Sequence, residues 1–362
     1  MGEGHVVRNA MITGWGACLP PAVLTNADLE TLTDTSDEWI VTRTGIRERR
    51  ISHVDTSVLG TVAARRALAA AGMTGSDVDL VLMATCTPDR LVPSSATAIQ
   101  HAIGASGAAA MDLNAACSGF LYALATADQM IESGAVDTAV VIGAEKLSFW
   151  LDFTDRSTSV LFGDGAGAVV VTAAEEPGGL LAFDLGADGS AGDILCVADS
   201  GTEGRPSRGR HPIISMEGPA VFRRAVDAMG DAAVAVVEGA GIALDDVDLL
   251  IPHQANIRII DATARRLGLA PDRVFVNIAS YGNTSAATIP IALAEALEAG
   301  RVGPGDTLVF AAFGGGLTWA AAAYRWGSRT EPLGVSDAAL PDSDATALEL
   351  LAANAELFGK GV

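Results

Sequence analysis

Aromatic side chains make up only 5% of this chain, with three tyrosines among its 362 residues. Cysteine is rarer still: the four, Cys18, Cys86, Cys117 and Cys196, stand far apart with no CxxC pair. That spacing indicates neither a zinc site nor a disulfide framework and fits a reducing compartment, so a cytoplasmic location is expected and no metal. No apolar run reaches the length of a membrane span, and Met1–His5 lacks the basic start and apolar stretch of a secretory signal. Basic residues are outnumbered, 23 Lys plus Arg against 44 Asp plus Glu, giving a net charge of −21. Such a chain repels nucleic acid and anionic membranes, so an anionic partner has to be met by a local arginine cluster. The candidates are Arg43, Arg47, Arg49 and Arg50; Arg205, Arg208 and Arg210; Arg223 and Arg224; and Arg258, Arg265 and Arg266. Phosphate-loop and dinucleotide fingerprints are missing as well. Neither Gly163–Gly167 nor the glycines after Phe313 carry the required lysine or spacing, which argues against nucleotide hydrolysis, hydride transfer and a bound cofactor.

What is present is a hydrophobic share of 49%, rich in alanine, valine and glycine, the composition of a tightly packed α/β protein. Met11–Gly16, Asp79–Ala84, Ala139–Gly143 and Thr307–Ala312 read as strands, several of them the continuous apolar kind buried in parallel sheets. Helices are expected from Thr25 or Asn26 to Leu32, after Asp34–Ser36, over Val58–Ala71 up to Gly72, and over Pro93–Ile103 up to Gly104. Gly163–Gly167 is expected to lead into a strand at Ala168–Val171.

The chain also repeats itself. Asp77–Leu80 (DVDL) recurs at Asp246–Leu249, Asn114 at Asn283, and Asp137–Thr138 at Asp306–Thr307; 246−77, 283−114 and 306−137 all give 169. An ungapped duplication of one α/β unit is the reading, with the join in the Pro/Gly turn at 175–179. Strand ends and helix starts of two such copies can converge on one cavity.

Three residues stand at such positions. Cys117 opens a nearly all-apolar helix, where the helix dipole is expected to lower its thiol pKa, although most cysteines in apolar surroundings are inert packing. His253 comes straight off the strand Leu249–Ile251, and Asn283 stands at a helix entrance, where capping is the commoner duty. Together they make a nucleophile and two hydrogen-bond donors. The loop Phe313–Leu317 adds bare backbone able to hold an oxyanion.

Six motifs carry a closer identification: DTSDEWIVTRTGIRERR at 34–50, AACSG at 115–119, FGDGAG at 162–167, PHQAN at 252–256, GNTS at 282–285 and FGGG at 313–316. From about Met11 to Trp326 the chain resembles the β-ketoacyl-acyl carrier protein synthase III family of condensing enzymes. The resemblance implies a thiolase-like fold of two duplicated α/β halves in five αβαβα layers, residues 1–176 and 177–328, with 329–362 as an extension. It implies a Cys117, His253 and Asn283 triad and an oxyanion hole from the N–H groups of Cys117 and Gly315. Trp39 and Arg156 would flank the adenine of coenzyme A, a substrate thioester here, with Thr35, Arg43 and Asn256 along the pantetheine–phosphate path. Leu91, Phe162 and Phe313 would shape the acyl pocket, Leu91 by reaching into a partner subunit. Arg223, Arg258, Arg265 and Arg266 would dock malonyl-acyl carrier protein. The implied reaction is decarboxylative condensation of an acyl-CoA primer with that carrier to a 3-oxoacyl product, starting type II fatty-acid synthesis, in a homodimer.

Departures accompany the match. Pro219 replaces a residue that in relatives can be a hydrogen-bonding one, 188–210 is expected to be irregular, and a surface helix is expected over 342–358. Rival readings are a related ketosynthase of specialised metabolism, an acetoacetyl-CoA synthase using malonyl-CoA, or a non-catalytic acyl-carrier-binding homologue. A papain-like peptidase lacks its cysteine context, and a biosynthetic thiolase lacks a second cysteine in the Phe313–Thr318 loop.

Overall fold

Apolar runs that are too long for a one-faced strand need cover on both sides, and each half of the chain finds it in the other. The computed structural model describes residues 8–198, 200–203 and 212–357. The first part contributes β1 (Asn9–Cys18), β2 (Ala22–Thr25), α1 (Asn26–Glu30), α2 (Asp37–Thr44), β3 (Glu48–Ile51), α3 (Thr56–Ala71), β4 (Leu80–Ala84), α4 (Ser95–Ala102), β5 (Ala109–Leu113), α5 (Gly119–Glu132), β6 (Thr138–Lys146) and β7 (Asp164–Ala174). The second contributes β8 (Gly179–Ala187), β9 (Leu195–Ala198), β10 (Ile213–Met216), α6 (Gly218–Gly239), β11 (Leu249–Pro252), α7 (Ile257–Arg266), α8 (Ile278–Tyr281), α9 (Thr288–Glu298), β12 (Thr307–Gly314) and β13 (Thr318–Arg325), and α10 (Ala347–Leu357) follows.

One sheet runs β1-β7-β6-β4-β5, with β4 parallel to both β5 and β6; the other runs β11-β12-β13-β8, with β11 parallel to β12. Helices α5 and α9 lie between the sheets and touch both, α3 and α4 cover the outer face of the first, and α6 that of the second. This is the expected five-layered α/β arrangement. The central core joins Phe120, Leu124 and Ile131 of α5 to Ile289 and Leu293 of α9 and to inward residues of both sheets, such as Val141 and Phe310. Fully burying each such side chain contributes roughly 1.5–3 kcal/mol.

The local signals mostly act as read. Ser36 caps α2 by accepting from Trp39 N–H, and α3 ends at Gly72 in the left-handed region at φ 68°. Four expectations need correction. The stretch 163–167 does not merely lead into the strand, because β7 already begins at Asp164. Gly167 is there for packing: a Cβ would lie 2.6 Å from Ile291 N, so its absence lets α9 press on the strand. The repeat is not ungapped. Val81 pairs with Ala110 while Leu250 bridges to Val274, a local offset of 164 (274−110), and α8 is the insertion that restores 169 before Asn283. The stretch 188–210 is not wholly irregular, since β9 pairs with β10; Arg205, Arg208 and Arg210 lie outside the described residues.

The surface helix begins later than expected, at Ala347, and it is docked. Ala347 and Leu351 are buried in the outer core, and α10 packs on the β2–β3 pair. Phe358, assigned to that helix, lies outside the described residues. Between β13 and α10 the chain crosses α3: Leu333 N–H donates to Ala70 O, and the Arg66 guanidinium donates to Ala338 O. No helix among the described residues is long and apolar enough to cross a membrane.

Candidate active site

Cys117 lies in a short 3-10 turn, Ala116–Ser118, that feeds α5, so its backbone sits at the helix entrance. Ala116 is held at φ 47°, left-handed for a residue with a Cβ, and the Asn114 side-chain oxygen accepts its N–H at 3.1 Å. The end of β12 comes right against this turn. At Gly314 a Cβ would lie 2.6 Å from Cys117 N, so only glycine fits. Burial pushes the Cys117 thiol up to about 12, and the nearby Glu145 carboxylate acts in the same direction. The thiolate favoured by a helix dipole is therefore not the resting form: desolvation outweighs the dipole.

Asn283 stands at the matching turn of the other half, stitched to the first half by backbone. Its N–H donates to Leu161 O at 2.8 Å and its carbonyl accepts from Gly163 N–H at 3.0 Å. Ser285, at φ 50°, donates its N–H to the Asn283 side-chain oxygen at 2.8 Å. With that oxygen engaged, the Asn283 NH2 group is the part of the amide left to donate. His253 follows β11, where its N–H donates to Ala311 O at 2.8 Å. Its Nδ1 lies 2.6 Å from the Thr288 hydroxyl, and burial brings its pKa down to about 3. The ring is neutral across the physiological range.

Cys117, His253 and Asn283 line one chamber of about 540 Å³. Trp39, Arg43, Arg156, Phe162, Asn256, Arg258, Arg223 and Phe313 line it too, and Pro219 is part of its wall. Arg43 and Arg156 both lie on the Trp39 ring, at 4.5 and 5.2 Å from its centroid. Asn256 also caps α7, accepting Arg258 N–H at 2.9 Å. Arg258 rests over Phe222 at 4.9 Å, and Arg265 joins them in an adjoining surface groove. Arg266 pairs with Asp231 and lies apart from the chamber.

Three expected residues lie outside the lining of this chamber. Thr35 is not among the lining residues, and its hydroxyl is buried without a hydrogen-bond partner among the described residues. Leu91 is 82% exposed and away from both cavities of this subunit. Gly315 lines a second cavity of about 620 Å³ on the other side of Cys117. Residues not anticipated from sequence line that second cavity: Cys86, Leu147, Trp150, Leu195, Ile214 and Ser285. Among the described residues, only Phe162, Cys117 and Leu195 belong to both. Glu145, wholly buried, braces the strand ends beneath, accepting from Thr87 Oγ1 at 2.5 Å and Thr87 N–H at 3.1 Å. Its pKa is raised by burial.

Comparison with known proteins agrees across nearly the whole chain. A family model described as 3-oxoacyl-[acyl-carrier-protein] synthase III matches residues 111–189, and its C-terminal counterpart matches 237–326. A β-ketoacyl-[acyl-carrier-protein] synthase III 2 of Vibrio cholerae is 54% identical over 344 residues, 94% of this chain and 95% of that protein. The crystal structure of 3-oxoacyl-[acyl-carrier-protein] synthase III from Aquifex aeolicus superposes with a TM-score of 0.83 at 48% identity, covering 88% of this chain and 100% of that one. The priming β-ketosynthase of a polyketide pathway gives 0.84 at 38% identity, covering 89% and 97%.

Proposed function

Because the chain belongs to the β-ketoacyl-acyl carrier protein synthase III family, of thiolase-like fold, we propose that it joins an acyl-CoA primer to malonyl-acyl carrier protein and so starts type II fatty-acid synthesis. The observation that carries this reading is a single chamber lined by a thiol from one half and an imidazole and a carboxamide from the other. As an acyltransferase it works in two stages. The Cys117 sulfur attacks the primer's thioester carbon, the bond to the coenzyme A sulfur breaks, that sulfur leaves with the proton the thiol gives up, and the acyl group stays on Cys117. N–H groups of Cys117 and Gly315 hold the tetrahedral oxyanion. Malonyl-carrier protein then loses CO2. The electron pair of the broken C–C bond spreads onto the thioester oxygen, where Asn283 and His253 share its charge. The resulting carbanion attacks the acyl carbon, and Cys117 departs as thiolate to be reprotonated.

Trp39 and Arg156 are the adenine clamp in this reading, with Thr35, Arg43 and Asn256 along the pantetheine–phosphate path. Arg223, Arg258, Arg265 and Arg266 are the carrier dock on an otherwise acidic protein. The second cavity, with Leu147, Trp150, Phe162 and Ile214 in its wall, takes the primer's chain. A second copy of the chain pairs along β5, the bare edge of the first sheet, where Leu91 and Val92 are 82% and 85% exposed nearby. The halves are taken as 1–176 and 177–328, no bound cofactor is needed, and the site of action is the cytoplasm.

Incubating the enzyme with a panel of acyl-CoA primers, then with malonyl-CoA or malonyl-carrier protein, tests all of this. The expected outcome is an acyl mass on Cys117 and 3-oxoacyl-carrier protein as product. Product from malonyl-CoA alone would shift the reading to an acetoacetyl-CoA-type synthase, and an unlabelled Cys117 would sink it.

A further inference from the structure

The repeat pairs Ser285 with Ala116 (285−116 is 169), and their turns share one shape. Backbone φ is 50° at Ser285 and 47° at Ala116, and each N–H is held by the asparagine two residues before. Alanine therefore suffices to build this turn, and the Ser285 hydroxyl is not there for its own backbone. The residue is 1% exposed, and its Oγ makes no aligned hydrogen bond among the described residues. A buried hydroxyl without an acceptor is unfavourable, so one kept here needs a use. Its turn packs against the Cys117 turn and against the end of β6, where Gly143 lets it approach. Ser285 thus lines the second cavity beside Cys117 and Cys86.

Three acceptors lie near enough for this hydroxyl to lower their pKa values: the Cys117 sulfur, the Cys86 sulfur and the Glu145 carboxylate. Glu145 is already served by Thr85 Oγ1, Cys86 N–H, Thr87 N–H and Thr87 Oγ1, at 2.5–3.2 Å. Cys86 donates its own S–H to that carboxylate at 3.4 Å, and a neutral thiol is a weak acceptor. His253, the remaining titratable group of the shared chamber, is neutral. Only the Cys117 sulfur gains a full charge during turnover, and hydrogen bonds to charged acceptors are the strong ones.

We propose that the Ser285 hydroxyl is the donor to the Cys117 thiolate: it bonds the sulfur as charge forms for attack, and again when condensation releases the sulfur from the acyl group. The hydrogen stays on Ser285 Oγ throughout, and the thiol's own proton leaves with the coenzyme A sulfur. These two stages rest on the condensing reading above; the hydrogen bond to the thiolate does not. Burial and the hydroxyl pull opposite ways on one atom, so the resting thiol is neutral while its thiolate stays within reach of turnover.

The test compares the full wild-type chain with Ser285→Ala, which gives the second turn the residue that the first already has, and with Ser285→Gly, which suits a positive φ without strain. Alkylation of Cys117 by iodoacetamide, read by mass at that residue from pH 7 to 10, should be about tenfold slower in both variants at every pH, with an unchanged slope, as expected for one lost hydrogen bond to a charged group. Acylation by an acyl-CoA primer should fall by a similar factor in kcat/KM. Release of CO2 from malonyl-carrier protein by enzyme already acylated should stay within about twofold, because it draws on His253 and Asn283. An alkylation rate unchanged or raised by loss of the hydroxyl overturns the proposal. So does an equal loss in CO2 release, the mark of a displaced turn rather than a missing donor. A wild-type enzyme that is alkylated at Cys117 but takes no acyl group defeats the condensing reading, while the alkylation comparison still decides the hydrogen bond.

Discussion

The two halves contain the same turn put to different uses. In each, an asparagine accepts the N–H of the residue two positions on: Asn114 from Ala116, Asn283 from Ser285. In each, that second residue is left-handed, at φ 47° and 50°, and a central helix starts just beyond. The next residue is Cys117 in one copy and Ala286 in the other. A strained non-glycine turn costs roughly 1–2 kcal/mol, so its presence twice marks a backbone device rather than an accident of one loop. The difference teaches where chemistry was added. In the first copy the turn presents the residue after it, the sulfur; in the second it presents its own asparagine. Glycine lets each turn approach the opposite sheet: Gly314 faces Cys117, and Gly143 faces Ala286, whose carbonyl would lie 2.2 Å from a Cβ there.

The sharpest way to break this comparison is Cys117→Ser. Condensation should drop by about 10³-fold or more, with no acyl mass on the protein, because an alcohol is a far poorer nucleophile at neutral pH. Next comes alkylation of Cys117 by iodoacetamide. With its thiol pushed up to about 12, the rate should climb about tenfold per pH unit from pH 7 to 10 without levelling; a plateau near neutrality would restore the dipole-activated thiolate. Asn283→Ala should lower condensation about 10²-fold while acyl transfer to Cys117 persists, as measured by separate half-reactions. His253 supplies an acid-side check. Its folded pKa of about 3 lies below the ordinary 6.5, so the unfolded chain binds the extra proton; stability should fall as pH drops from 6.5 towards 3, and His253→Gln should flatten part of that slope in urea titrations. The smallest effect belongs to the twin, Asn114→Ala. It should cost about 1 kcal/mol of stability with turnover within about threefold of wild type, and a loss as large as that at Asn283 would mean that the copies do not divide the work.

Much of this was legible in the sequence because periodicity and exact recurrence survive without coordinates. The shared 169 spacing paired Asn114 with Asn283 before any turn geometry was known, and the buried strands announced themselves as apolar runs. What stayed hidden depends on three-dimensional neighbours. The Cys117 position suggested a helix dipole, but the depth of burial that overrides it is set by β12 and the second half. Leu147, Trp150 and Ile214 share a cavity because three separate segments fold onto one another, and nothing in their spacing says so. A stretch before α8 runs five residues out of the shared spacing, and the flanking matches concealed it (169−164). Thr288 looked like an ordinary first helical residue until its hydroxyl was seen against the imidazole.

The segment after β13 runs back over α3 and seats α10 on the β2–β3 pair, next in sequence to the helix that carries Trp39 and Arg43. Synthesis therefore completes both sheets before this clasp leaves the ribosome. During that interval the outer face of the β2–β3 pair lacks this cover, so a nascent chain is more open to chaperones and proteases beside the helix that carries Trp39 and Arg43.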